Sequence, residues 1–160
     1  MVNQRAQAWG FDIIVATGIF ILGIVAFFLY TINYPTGEQE KLDELLYEGN
    51  NVASSLLSTG YPENWTTLTV SKIGILTDNM IDQEKLNNFN ELSSNDYGRT
   101  KSMLGTKYNY FVNFSSPMQI SGTTVDGIGL FPVNSKNAIK ISRVSLYQNK
   151  PVTIEVHVWE

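Results

Sequence analysis

Residues Ile13 to Ile32 read IIVATGIFILGIVAFFLYTI, twenty positions without a charge, an Asn or a Gln. The gap in Asp, Glu, Lys, Arg and His is wider still, running from Asp12 to Glu38. At about 1.5 Å per residue a helix of this length spans roughly 30 Å, the hydrocarbon thickness of a bilayer. A helix on the surface of a soluble core keeps a polar face over such a length, and this one has none. The stretch predicts a transmembrane helix over residues 11–34. It is longer than the roughly 7–15 apolar residues of a removable signal peptide, and no Ala-x-Ala site follows it. Trp9, Tyr30 and Tyr34 stand where interfacial aromatic residues belong. Arg5 and the terminal amine precede the span, whereas Glu38, Glu40, Asp43, Glu44 and Glu48 follow it. The positive-inside rule then puts residues 1–10 in the cytoplasm as a leader and the rest of the chain outside.

Composition narrows the function. The chain has 160 residues, 43% hydrophobic and 16% charged, with a net charge of −4. That is too apolar and too weakly charged for disorder, and it offers no basic field for nucleic acid. With no Cys there is no disulfide scaffold, thiol nucleophile or Cys-ligated metal. A lone His157 excludes multi-His metal sites and most Ser–His triads. All of the eleven Lys and Arg except Arg5, and all of the fifteen Asp and Glu except Asp12, follow residue 36, so the exterior is acidic.

Beyond the span, helical spacing continues. Leu42, Leu45, Leu46, Gly49, Val52, Ala53, Leu56 and Leu57 recur at three- and four-residue steps, with Lys41, Asp43, Glu44, Glu48 and Asn51 opposite. Gly60 and Pro62 end the pattern. With only Pro35 between them, the span and this amphipathic helix (residues 35–60) are expected to form one long, slightly bent helix. Residues 61–160 supply the domain on which its apolar stripe lies. Asp82 opens one short helix, and Ser93 with Asp96 three residues later resembles a capping box opening a second towards Gly105. From Lys107 the period changes to two: Tyr108, Tyr110, Val112 and Phe114 alternate, with apolar positions following around Ile120, Ile128 and Leu130–Phe131. Two runs close the chain, Ala138 to Tyr147 and Pro151 to Trp159, with a turn at Gln148-Asn149-Lys150. Val152, Ile154, Val156 and Val158 point one way; Thr153, Glu155, His157 and Trp159 point the other. Alternation breaks near Ser142–Arg143, where a bulge or a sheet edge is expected. The expected fold class is α+β: a long N-terminal helix, transmembrane then amphipathic, packed on a small antiparallel sheet of about four strands.

Chemical candidates are few. His157 falls on the polar face of the last strand, where solvation explains it. Gly122, Gly127 and Gly129 lack the Lys-Ser/Thr ending and following helix of a phosphate loop. Asp78, Asp82 and Glu84 are not spaced as an EF-hand loop, and helix capping accounts for Asp82. No spacing argues for a paired-carboxylate hydrolase. No catalytic residue, cofactor or metal site is assigned. Asn64-Trp65-Thr66 and Asn113-Phe114-Ser115 are N-glycosylation sequons on the side expected to be outside. Asp12 has two readings: it lies at the headgroups and favours the helix N-terminus, or it pairs inside the membrane with a neighbouring subunit's terminal amine or Arg5.

A polar leader with one basic residue, a carboxylate heading an apolar span, an amphipathic helix and a small sheet domain together resemble type IV pilin-like proteins. The archaeal branch is the most similar. Its leaders commonly end in a basic residue plus Gly or Ala before Gln, a pattern that Arg5-Ala6-Gln7 matches. Gly60-Tyr61-Pro62-Glu63-Asn64-Trp65, Leu104-Gly105-Thr106-Lys107-Tyr108 and Val156-His157-Val158-Trp159 also look like stretches of small archaeal pilin-like membrane proteins. The resemblance implies that a prepilin peptidase cuts the leader, between Ala6 and Gln7 or between Gly10 and Phe11. It also implies that the apolar helix then packs among other pilin-like subunits, with Asp12 as the assembly carboxylate. In the family that carboxylate is the fifth mature residue; here Asp12 becomes sixth or second, a departure that suits a minor or non-polymerising member.

The expected function is therefore a non-catalytic pilin-like subunit of a surface filament or its assembly machinery, serving adhesion or a surface appendage. The alternative is a single-pass, membrane-anchored extracellular binding domain that never polymerises; a surface hydrolase using carboxylates ranks third. The expected partners are the lipid bilayer, other pilin-like subunits and the peptidase, with no nucleic acid.

Overall fold

The computed structural model describes residues 4–32, 37–133 and 135–160, without the side chains of residues 4–9 and 38. Two compact units divide the chain, residues 1–40 and 41–160.

The first unit is dominated by α1, Gln4–Ile32. Within it, Gly10–Ile32 forms 23 residues long and apolar enough to cross a membrane, none of them buried. Phe11, Ile19, Phe20, Ile24, Phe28 and Ile32 all stand exposed. They point in every direction around the axis, so no single face of this helix is reserved for a core. Thr17 and Thr31 turn their hydroxyls back onto the carbonyls of Ile13 and Phe27 at 2.8 Å, which hides two polar groups within the helix itself. The expected bent junction through Pro35 lies outside the described residues, as does Tyr34; of Trp9 the side chain lies outside them.

Helix α2, Gly37–Leu56, runs into the second unit. There its stripe is Leu45, Val52, Ala53 and Leu56, all essentially without solvent contact. Each of the Leu and Val side chains contributes about 1.5–3 kcal/mol of burial, and Ala53 less. Gly49 is part of the fit, because a Cβ there would run into Ile139 Cδ1. Leu42 and Leu46, which the spacing included in the buried stripe, are exposed. They lie on its shoulder, about 60° and 100° away from Leu45 in the helical projection.

The sheet has six strands in the order β1-β2-β5-β6-β3-β4. These are β1 Leu76–Thr77, β2 Met80–Ile81, β3 Asn109–Ile120, β4 Thr123–Gly129, β5 Ala138–Tyr147 and β6 Lys150–Trp159. The four long strands pair antiparallel throughout. The expected purely antiparallel sheet needs correcting, because β2 meets β5 in parallel, Met80 opposite Leu146. The chain between β2 and β5 is long enough for such a crossover. Strands β1 and β2 are a two-residue hairpin whose Asp78 and Asn79 sit at φ 51° and 61°. Asp78 is thus a turn residue, its left-handed backbone being one that Asp and Asn tolerate.

Between β2 and β3 lie α3, Gln83–Asn95, and α4, Tyr97–Leu104. Asp82 caps α3, accepting from the N–H groups of Glu84 and Lys85. The expected capping box is corrected: Ser93 is buried within α3, and Asp96 alone caps α4 through Arg99 N–H at 2.9 Å. Of the bulge or edge expected at Ser142–Arg143 the structure shows the edge, since β2 reaches β5 only at Leu146, while the bulge lies elsewhere. Strands β5 and β6 pair without interruption, and the irregularity lies between Asn113 and Met118 of β3. Arg143 breaks the alternation for another reason. It occupies a core-side position at the rim and donates to Asn50 Oδ1 of α2 at 2.8 Å. Val112, Val152, Ile154, Val156 and Val158 form the sheet side of the core. Trp159 falls on the outer face by alternation yet is buried, beside the small Ala138 and Asn109.

Candidate functional site

The span itself is the first candidate, and Asp12 is its only acid. Helix α1 begins at Gln4, with no acidic residue in its first turn, so in this chain Asp12 stands eight residues into the helix and exposed. The reading in which Asp12 favours the helix N-terminus does not hold for the uncut chain, since that effect is confined to the first turn. The pairs Ala6–Gln7 and Gly10–Phe11, expected from the sequence as alternative cleavage points, both lie within α1.

In the second unit, sequence reasoning missed a cluster at one end of α2. The Glu44 carboxylate accepts the Tyr108 hydroxyl at 2.8 Å and pairs with the Lys107 ammonium. One turn earlier, Lys41 pairs with Glu160. The Lys107 and Tyr108 hydrogen bonds hold Glu44 below the usual carboxylate range, and Glu44 in turn raises Lys107. These shifts deepen the ionised states at neutral pH. The cluster therefore ties the start of α2 to β3 and carries no group poised to exchange protons. The only available signal was the Lys107-Tyr108 pair beside Gly105.

A second polar cluster is internal. The Tyr110 hydroxyl lies 3.0 Å from Ser93 Oγ and 2.7 Å from Thr100 Oγ1. The Tyr97 ring stacks on Tyr110 at 4.9 Å, its hydroxyl reaching the Tyr110 backbone. Burial pushes the Tyr110 phenol up to about 12. A phenol held that firmly protonated fixes α3 and α4 to the sheet; it is no base. Lys85 is likewise structural, its buried amine donating to the carbonyls of Thr59 and Leu76 at 2.9 and 2.8 Å.

The outer sheet face bears Lys140, Glu155 and His157, with Lys140 Nζ 3.1 Å from Glu155 Oε1 and His157 Nε2 3.9 Å from Glu155 Oε2. His157 is half-buried rather than freely solvated, its ring 6.3 Å from that of Phe111. Burial lowers its pKa, so the imidazole is neutral at pH 7. Gly122 forms the β3–β4 turn with Ser121, and Gly127 and Gly129 leave room for the Phe111 and Tyr110 side chains. Among the described residues, no group of three His, Asp or Glu side chains is placed to hold a metal ion. Asp82 is spent on its cap and Asp78 on its turn. An open, hydroxyl-rich groove of about 510 Å³ runs between Ser54 and Ser55 of α2, Ser71–Lys72 and the end of α4, with no charged pair or imidazole inside it.

The two sequons sit in different surroundings. Asn64 is exposed in the loop between α2 and β1, whereas Asn113 lies within β3, paired on both sides. No family model, curated protein or solved structure matches this chain.

Proposed function

We propose that this chain is a non-catalytic, pilin-like structural subunit of a type IV pilus-like surface filament or of its assembly machinery. Its N-terminus is cytoplasmic, α1 spans the membrane, and residues 41–160 lie outside. One observation carries the reading: Gly10–Ile32 is apolar on every side with none of the described residues covering it, while the amphipathic helix after it spends its stripe on its own domain. Such a helix exchanges lipid for like helices with little change of environment, so association needs only close packing. Ala16, Gly18 and Gly23 permit that approach. Exposed Leu42 and Leu46 extend an apolar surface along the shoulder of α2. Cleavage at either candidate pair brings Asp12 within two turns of the new N-terminus. After the Gly10–Phe11 cut its carboxylate lies in the first turn and favours the helix N-terminus; after either cut it is near enough to the end to meet a neighbour's freed amine.

The register of Asp12 favours one second reading, a membrane-anchored extracellular domain that does not polymerise. Intact-mass measurement of the chain purified from membranes, together with sheared surface material, separates the two. Loss of the first six or ten residues, with the chain recovered in filaments, supports the subunit. A full-length chain confined to the membrane refutes it and leaves the anchor.

A further inference from the structure

The two sequons are alike in sequence, and the fold makes them unequal. The Asn64 side chain is exposed in a turn, and its carboxamide makes no hydrogen bond among the described residues. The loop around it is held by other groups. Trp65 is buried with its indole N–H on Gly74 O at 2.8 Å, and Tyr61 N–H reaches Lys72 O at 2.9 Å. Thr66, the hydroxyl residue of the sequon, is exposed; its Oγ1 meets the equally exposed Thr69 Oγ1 of the same loop at 3.1 Å, and no strand pairing has to open to free it. Beside Asn64 a cleft of about 160 Å³, with Thr66, Thr77 and Glu84 on its lining, leaves room for a first sugar.

Asn113 is engaged instead. It lies opposite Glu155 of β6 and Gly127 of β4, in a strand with neighbours on both sides. Its Oδ1 accepts the Phe114 N–H at 2.9 Å, beside the point where β3 and β4 fall out of register. The hydroxyl of its sequon, Ser115 Oγ, accepts the Thr153 N–H at 3.0 Å. A transferase must grasp both the carboxamide and that hydroxyl, which here requires opening the sheet between β3 and β6.

We propose that Asn64, and not Asn113, is the N-glycosylation acceptor of the folded chain. The donor is an oligosaccharide linked through phosphate to a membrane lipid, handled by an oligosaccharyltransferase outside the cell. The Asn64 Nδ2 attacks the anomeric carbon. The carbon–Nδ2 bond forms as the carbon–oxygen bond to phosphate breaks, the carboxamide gives up one proton, and the lipid phosphate departs with the bonding pair. In the cell this rests on the exterior placement proposed above; the acceptor choice itself does not.

The test uses the folded full-length chain in detergent with a single-chain oligosaccharyltransferase that accepts N-x-Ser/Thr and its lipid-linked donor, followed by intact mass. The expected result is one glycan on the wild type and on Asn113→Gln, and transfer to Asn64→Gln slower by about tenfold or more. Urea-unfolded wild type takes two glycans, which confirms that both sequons are substrates once free. Transfer to Asn64→Gln at the wild-type rate, or none to Asn113→Gln, overturns the proposal. A parallel expression in glycosylating cells carries a flexible C-terminal Asn-Gly-Thr tag as a reporter of exposure. A modified tag beside an unmodified Asn64 overturns the acceptor assignment, whereas an unmodified tag overturns the exterior placement and, with it, glycosylation in the cell.

Discussion

Arginine at the middle of α1 is the sharpest probe of whether Gly10–Ile32 belongs in lipid. The segment is 23 residues long, roughly 35 Å of helix against a hydrocarbon core of about 30 Å, and Ile21 stands at its midpoint. Its fourteen Phe, Ile, Leu and Val side chains favour insertion by about 0.3–0.6 kcal/mol each, about 4–8 kcal/mol together. Replacing Ile21 by Arg forfeits one such contribution and adds about 2.5–3.5 kcal/mol, so the single variant loses about 3–4 kcal/mol and still inserts. Adding Val25→Arg, one turn further and equally exposed, doubles the loss to about 6–8 kcal/mol and cancels the driving force. Alkaline extraction of membranes is the assay. The wild type and Ile21→Arg stay in the pellet, and the double variant moves to the supernatant or is degraded. A double variant that resists extraction as well as the wild type refutes the reasoning. So does a wild-type chain that behaves as a monomer in buffer without detergent or lipid.

The remaining predictions concern the second unit and use the full chain in micelles. Tyr110→Phe orphans Ser93 Oγ, costing about 1–2 kcal/mol in denaturant titrations at neutral pH. It also flattens the alkaline limb. With the folded phenol pushed up to about 12 against an ordinary value of 10.0, the unfolded chain loses its proton first. Wild-type stability is therefore full below about pH 10 and falls by about 2–3 kcal/mol as pH rises towards 12, a loss that Tyr110→Phe lacks. An unchanged alkaline slope in the variant counts against the buried cluster. Gly74→Ala is the severest of the loop substitutions, because its Cβ would fall on the Gly60 N and Ser58 O backbone atoms, which cannot swing aside. A loss of about 2–3 kcal/mol is expected, against about 1 kcal/mol for Gly105→Ala, which meets no atom and pays only for its left-handed φ of 73°. Thermal melts that rank the pair the other way would contradict the packing of the 58–60 and 73–76 segments.

What could be read from the sequence is what repeats. The long apolar helix is legible because twenty residues carry one message, and β6 because Val152, Ile154, Val156 and Val158 alternate over a whole strand. Single-residue signals survive where local chemistry decides them: Asp82 caps its own helix, and Gln148-Asn149 turns at φ 50° and 61°. The failures share a different cause. Strands β1 and β2 are two residues each, too short for any period, so the parallel pairing of Met80 with Leu146 left no trace. Ser93 sits three residues before Asp96, as a capping residue should, yet its hydroxyl is used across the fold by Tyr110, a partner seventeen positions away. Arg143 disturbs an alternating pattern because Asn50 of α2, 93 residues earlier, is within its reach. The same distinction governs the candidate sites. Asn64 and Asn113 carry identical sequons, and only the neighbours that the sheet brings to Asn113, Glu155 of β6 and the Thr153 N–H on Ser115, separate a reachable carboxamide from an occupied one. A motif states which chemistry a residue can perform. Whether an enzyme can reach it is decided by hydrogen bonds from segments remote in the chain, and these have no period to read.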